Sequence, residues 1–208
     1  MVATADGVVL RVDGLGFAYP GCKVFGQWSM ALPAGLALLR GDESSGKTTL
    51  LRLLAGELAA QQGQVTLQGQ PLADAPRDQV FWADARSSDL DQAVARAWLD
   101  SWRPRYPHWD DAALAAHVEG FALTPHLDKP FFALSTGSRR KVLMAGALAS
   151  GAALTLIDEP VSGLDKPSVA YLCEALPQAA AQPGRVVLVA HYDALPGVPW
   201  GTVVELAH

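Results

Sequence analysis

The run Gly41-Asp42-Glu43-Ser44-Ser45-Gly46-Lys47-Thr48 constrains the fold of this chain more than any other stretch. It satisfies G-x-x-x-x-G-K-[ST] at every fixed position, and that pattern has a mechanism. The glycines let successive backbone N–H groups curl around phosphates, the lysine reaches the β- and γ-phosphates, and the hydroxyl that follows holds Mg²⁺. The flanks agree with the motif. Leu36 to Arg40 reads as a short buried strand, and Lys47 to Leu58 as a helix burying Leu50, Leu51, Leu53, Leu54 and Leu58. Strand, glycine loop and helix in that order aim a helix N-terminus at a phosphate.

Four further motifs follow in a fixed order. Leu134-Ser135-Thr136-Gly137-Ser138 precedes Arg139-Arg140-Lys141 and an apolar helix. Leu154-Thr155-Leu156-Ile157-Asp158-Glu159-Pro160 is an apolar strand ending in two carboxylates, as expected of a parallel strand buried on both faces. Ser162-Gly163-Leu164-Asp165 comes next, and the apolar strand Val186 to Ala190 ends at His191. This order resembles the ATP-binding cassette (ABC) ATPases, and the likeness spans nearly the whole chain. It implies an α/β fold: a P-loop NTPase core with a mainly parallel central sheet, an antiparallel β edge subdomain and an inserted helical subdomain. The expected layout over 1–208 is a nucleotide-binding core at 1–84 and 151–208, interrupted by a helical arm at 85–150.

The resemblance assigns roles residue by residue. Tyr19, with Phe17 as its competitor, would stack on adenine. Gly41 to Thr49 would bind ATP, with Thr49 near the α-phosphate and the carboxylates of Asp42 and Glu43 turned outward. Thr48 and Asp158 would serve Mg²⁺, Glu159 would polarise the attacking water, and His191 would hold that water and the γ-phosphate. Ser135, Thr136, Gly137 and Ser138 would face ATP bound by a second cassette, with Ser135 and Gly137 as the phosphate-facing pair and Ser138 starting the helix. Asp165 would lie across that interface.

The chain departs from the family in two places. The family signature reads Leu-Ser-Gly-Gly-Gln, and here Thr136 and Ser138 replace its first Gly and its Gln. The family's loop glutamine is missing after Val80-Phe81-Trp82, where the chain reads Ala83-Asp84-Ala85-Arg86. Asp84 is the candidate to take that glutamine's place at the metal; a carboxylate can accept but cannot donate as an amide does.

Other elements are legible from periodicity. Val8 to Val12 and Lys23 to Met30 should pair as an antiparallel edge, followed by strands at Gln64–Leu67 and Gln79–Trp82. Asp91 to Leu99 reads as a helix. A second, capped by Asp110 or Asp111, should run to Glu119-Gly120 with Gly120 as its stop. The aromatic and proline run Trp102 to Trp109 joins them as a loop that packs its own rings. Val142 to Ile157 carries no charge over 16 residues, short of the roughly 20 a spanning helix needs. A helix to about Ala149, a turn at Ser150-Gly151 and a strand account for it better.

Composition narrows the function classes. The 208 residues are 50% hydrophobic, with 16 basic and 21 acidic side chains and a net charge of −5. That balance argues against disorder and against a nucleic-acid partner. Cys22 and Cys173 fit no metal or disulfide framework, which suggests a reducing cytoplasm. Met1 to Asp6 has the marks of no signal peptide, and the core is expected to end near His208.

The expected partners are therefore a second cassette and a separate integral membrane permease, with the chain peripheral on the cytoplasmic face of the inner membrane. Leu53-Leu54-Ala55-Gly56 and Gly63-Gln64-Val65 look like small exporter cassettes, the haem-exporter type of cytochrome c maturation included. Tyr106-Pro107-His108-Trp109-Asp110 looks more like peptide-antibiotic and multidrug exporters. A soluble, non-transport ABC ATPase and a nucleotide-dependent switch with weak hydrolysis are the alternatives.

Overall fold

Three apolar runs become the inner strands of a parallel sheet. The structure, a computed structural model describing residues 7–206, places β3 (Gly35–Arg40), β7 (Leu154–Asp158) and β8 (Val186–His191) side by side, with β6 (Val80–Phe81) and β9 (Thr202–Glu205) at the edges. The order is β6-β7-β8-β3-β9, and every neighbouring pair is parallel. The expectations for Met1 to Asp6 and for a core ending near His208 fall on residues outside those described.

The period-two rule of strands divides these residues between two cores. Val186, Leu188 and Ala190 point into one cluster together with Leu154, Leu156, Ala37 and Leu39. Val187, Val189, Leu36 and Ile157 point into the other. The first cluster is closed by helix α1 (Lys47–Leu54) and by an antiparallel sheet. That sheet contains β1 (Val8–Tyr19), β2 (Cys22–Pro33), β4 (Gln62–Leu67) and the short β5 (Gln70–Pro71), in the order β2-β1-β4-β5. The second cluster is closed by α2 (Ala95–Trp102), α4 (Thr136–Ala149) and α5 (Lys166–Ala180), with residues of α3 (Asp111–Gly120) packed against it.

Several boundaries differ from the sequence reading, each for a local reason. Helix α1 stops at Leu54 rather than Leu58, because Gly56 takes φ +74° and turns the chain. The expected helix from Asp91 begins only at Ala95. The backbone of 91–96 is already engaged elsewhere. Ala93 and Asp91 carbonyls accept from the N–H groups of Phe131 and Phe132, while the N–H groups of Ala95 and Arg96 donate to Lys129 and Leu127. Asp110 is the cap of α3, its carboxylate accepting from the Ala113 N–H at 2.9 Å. Gly120 ends that helix as expected, and its missing side chain also leaves room for a ring: a Cβ there would sit 2.0 Å from Tyr171. The aromatic run joins a wider cluster, with Trp102 and Tyr106 packed on Phe81. The charge-free stretch resolves into the end of α4, Ser150-Gly151 and β7. Among the described residues no helix is long and apolar enough to cross a membrane.

Two buried polar side chains fasten the helical layer, and the sequence reading singled out neither. Arg185 is 1% exposed. It donates to the Ala147 and Leu148 carbonyls at the C-terminus of α4, to Thr155 Oγ1 on β7 and to Gln182 Oε1. Burial lowers its pKa to about 10. His117 on α3 meets the Tyr171 hydroxyl on α5 at 2.8 Å. Burial, helped by the Arg185 charge and opposed by Asp110, pushes the His117 pKa down to about 4.

That shift fixes a pH dependence. Between the free value of 6.5 and about 4 the unfolded chain binds a proton at His117 that the folded chain refuses. Stability is therefore fully present above that window and is lost as pH falls through it. Equilibrium urea unfolding at pH 7, 6 and 5 should show this loss, amounting to a few kcal/mol by pH 4. His117→Phe should be less stable at pH 7 and flatter across the window, and a slope equal to that of the unmodified chain would exclude His117 as its origin.

Candidate functional site

The carboxyl ends of β3, β8 and β7 bring the motifs together, the edge where open α/β sheets bind ligands. The loop after β3 wraps toward α1. Gly46, at φ +96°, is the residue from which the helix starts, and an added Cβ would strike Val24 at 2.8 Å. Asp42, Glu43 and Ser44 are exposed, so the two loop carboxylates face outward as expected. Lys47 is buried, and its ammonium donates to the Gly41 and Asp42 carbonyls at 2.7 and 2.8 Å. Ser45 Oγ is buried in the same loop without a hydrogen-bond partner. A phosphate oxygen accepting that proton would satisfy it.

Two carboxylates converge on this loop from β7. Thr48 Oγ1 donates to Asp158 Oδ2 at 2.7 Å. Asp158 Oδ1 is buried with no partner, so the pair offers hard oxygen with spare lone pairs, a donor set suited to Mg²⁺. Burial pushes the Asp158 carboxyl above its ordinary pKa, while the Thr48 hydroxyl and Arg86 pull it back. Glu159 has φ +46°, in the left-handed region that costs a non-glycine residue energy. Its Oε2 meets His191 Nδ1 at 2.7 Å, and its Oε1 lies 3.6 Å from the Lys47 ammonium. The strand-end histidine and the second carboxylate are thus neighbours, although 32 residues separate them in the chain.

The candidate aromatic residues differ in exposure. Phe17 is buried, whereas Tyr19 is 37% exposed and its hydroxyl lies 3.5 Å from Thr49 Oγ1. Tyr19 is therefore the more exposed of the two rings.

The signature segment is arranged differently from the expectation. Helix α4 starts at Thr136, not Ser138. Ser135 is its cap, with Oγ accepting from the Ser138 N–H at 3.1 Å and donating to Ser138 Oγ at 3.0 Å. Ser135 and Thr136 are exposed, but Gly137 is buried. A Cβ on Gly137 would lie 2.1 Å from the Gly163 carbonyl, so Gly137 is a packing contact with the loop after β7 and does not form an outward pair with Ser135. Asp165 is exposed and caps α5, accepting from the Ser168 N–H at 2.8 Å.

Asp84 does not reach the Thr48–Asp158 pair by hydrogen bond; Arg86 does. Asp84 Oδ1 accepts from the Arg86 backbone N–H at 2.8 Å and lies 3.5 Å from Arg86 Nε. The Arg86 guanidinium then donates to Asp158 Oδ2 at 2.7 Å and to Thr48 Oγ1 at 3.1 Å. The sequence reading passed over Arg86. The signal that could have found it is a cation two residues beyond the position where an amide is missing.

The chain is similar to known proteins over most of its length. The family model described as "ABC transporter" matches residues 27–162. The cytochrome c biogenesis ATP-binding export protein CcmA of Sphingopyxis alaskensis is 35% identical, over 89% of this chain and 91% of that protein. The protein of that name from Pseudomonas putida is 34% identical, over 88% and 89%. Of the two exporter likenesses drawn from short motifs, these relatives carry the first. Among solved structures, the ATP-binding subunit of an ABC transporter superposes with a TM-score of 0.76 at 22% identity, covering 88% of this chain and 79% of that one. A bacterial Atm1-family ABC exporter with ATP bound gives 0.77 at 18% identity, covering 98% of this chain and 38% of that one.

Lys47→Ala should remove the charge around which the loop is built. Equilibrium titration with a fluorescent ATP analogue should show affinity reduced by at least about tenfold, the scale of one lost charge-assisted contact. Unchanged affinity would mean that the glycine loop is not where nucleotide binds.

Proposed function

This chain belongs to the ABC transporter family of ATP-hydrolysing, ATP-binding subunits, and we propose that it powers export through a separate membrane permease as one of two cassettes that close head to tail around ATP. The observation that carries the hydrolytic part is the grouping of Lys47, Glu159 and His191 beside the Thr48–Asp158 pair. The export part rests on relatives named as cytochrome c biogenesis export proteins, which this chain matches over about nine-tenths of both lengths. Export in cytochrome c biogenesis is accordingly the proposed task.

In this reading Tyr19 stacks on the base, and the loop from Gly41 to Gly46 with Thr49 cradles the phosphates. The N-terminus of α1 and the Lys47 ammonium supply positive charge there. Thr48 and Asp158 hold Mg²⁺, which when bound neutralises charge on the phosphate oxygens. Asp84 acts through Arg86 rather than as a direct ligand. Glu159 takes the proton from the attacking water as ADP leaves, and His191 orients the carboxylate through Nδ1, leaving Nε2 for the water or the γ-phosphate. Ser135 and Thr136, exposed at the N-terminus of α4, approach the γ-phosphate held by the second cassette, and Asp165 lies across the same interface. The division into a core at 1–84 and 151–208 and an arm at 85–150 leaves a groove where the permease docks, at the cytoplasmic face of the inner membrane. A slower, switch-like cycle is the second reading, favoured by the guanidinium on the metal pair.

Glu159→Gln tests the assignment of the base. The amide cannot take the proton, so turnover should fall by about 10²-fold or more while ATP binding persists. The variant should elute from a sizing column as a dimer when ATP and Mg²⁺ are present. Turnover within a few-fold of the unmodified protein would remove Glu159 from the role, and a monomer with ATP bound would count against the head-to-tail pair.

A further inference from the structure

Arg86 carries a positive charge onto the two oxygens best suited to a divalent ion. Its Nη2 donates to Asp158 Oδ2 at 2.7 Å and to Thr48 Oγ1 at 3.1 Å, and those two oxygens are themselves 2.7 Å apart. An N–H donor and a metal ion use the same lone pairs, and like charges at this separation repel. Both cannot be seated together. We propose that Arg86 is a built-in counter-cation that competes with Mg²⁺ for Thr48 and Asp158, so that loading of the metal with its nucleotide requires the guanidinium to swing away. This rests on reading Thr48 and Asp158 as the metal pair.

Three features support a mobile competitor rather than a fixed strut. The Arg86 side chain is 58% exposed while that of Asp158 is 10% exposed, so the guanidinium can rehydrate when it leaves and the carboxylate cannot. The departing side chain already has a second anion beside it, since Asp84 Oδ1 lies 3.5 Å from Nε and holds the backbone N–H of the same residue at 2.8 Å. A second guanidinium also presses on the region. The pKa of Arg140 is lowered by burial first and by the Arg86 charge next, against the pull of Asp158, Glu159 and Asp84, so the two guanidinium groups share one set of carboxylates. The chemistry is that of an internal salt bridge standing where a metal–carboxylate bond forms. Its effect is to make Mg²⁺ binding in the absence of nucleotide weak and to raise the metal concentration at which nucleotide is held.

By linkage, the factor by which Mg²⁺ tightens nucleotide binding equals the factor by which nucleotide tightens Mg²⁺ binding. The experiment is an equilibrium titration of the full chain with a fluorescent, non-hydrolysable ATP analogue, in EDTA and across a Mg²⁺ series. It compares the unmodified protein with Arg86→Gln, Arg86→Lys and Asp158→Asn. With Arg86→Gln the ratio of affinity in Mg²⁺ to affinity in EDTA should rise, and the half-saturating Mg²⁺ concentration should fall, by roughly two- to fivefold, the scale of one partly exposed ion pair. Arg86→Lys keeps the charge but loses the planar donor fork, and should lie between the two. Asp158→Asn should bring the ratio toward one. An Arg86→Gln ratio equal to that of the unmodified protein, with the Asp158→Asn ratio collapsed, overturns the competitor and leaves the metal pair standing. A ratio that Asp158→Asn does not move sinks the metal pair, and the proposal with it.

Discussion

A single buried guanidinium settles where the helical layer sits. Arg185 has almost no contact with solvent, and a buried cation without partners would cost several kcal/mol. The cost is offset by carbonyls at the end of α4, where the helix dipole already favours positive charge, and by a hydroxyl on β7, while Nε stays buried without a partner. Helix α4 carries the Ser135–Ser138 segment at its other end, and β7 ends at Asp158 with Glu159 next in the chain. One side chain therefore ties the remote ends of both functional elements together, and the distance between their active ends is set by a rigid helix and a rigid strand.

A second fastening lies at those active ends. Gly137 packs against the Gly163 carbonyl at a separation that admits no side chain, and Arg140 donates to the Ser162 carbonyl at 3.1 Å. The segment expected to face a partner's ATP and the loop expected to cross the same interface are thus one packed unit. Asp165 and Lys141 continue it, since both hold Ser168 at the start of α5. A movement of α4 must carry the Ser162–Asp165 loop with it.

The strands and the glycine loop were legible because their signals are local. Leu36 to Leu39, Leu154 to Ile157 and Val186 to Ala190 are apolar runs whose only stable place is a sheet buried on both faces. The Asp-Glu pair and His191 were legible because each ends such a run. What failed was set by partners far away in sequence. Asp91 to Val94 has helical periodicity, yet its backbone pairs with residues 130–132. The resemblance puts the helix start at Ser138, whereas capping chemistry makes Ser135 the cap and Thr136 the first helical residue. Arg185 is invisible in the sequence, because nothing in a chain announces which distant carbonyl a guanidinium will meet, and for Arg86 the one local signal is its place two residues beyond the missing amide.

The backbone of Glu159 bears on how such a protein drifts. A non-glycine residue held at φ +46° gives up about 1–3 kcal/mol of folding free energy. Glycine or asparagine at this position would recover part of that energy, and neither could serve as the base proposed for Glu159. On that proposal, stability and turnover are opposed at one codon. In a lineage where selection for hydrolysis relaxes, substitutions at 159 are rewarded by the fold itself, and the chemistry would be erased before the architecture shows any wear.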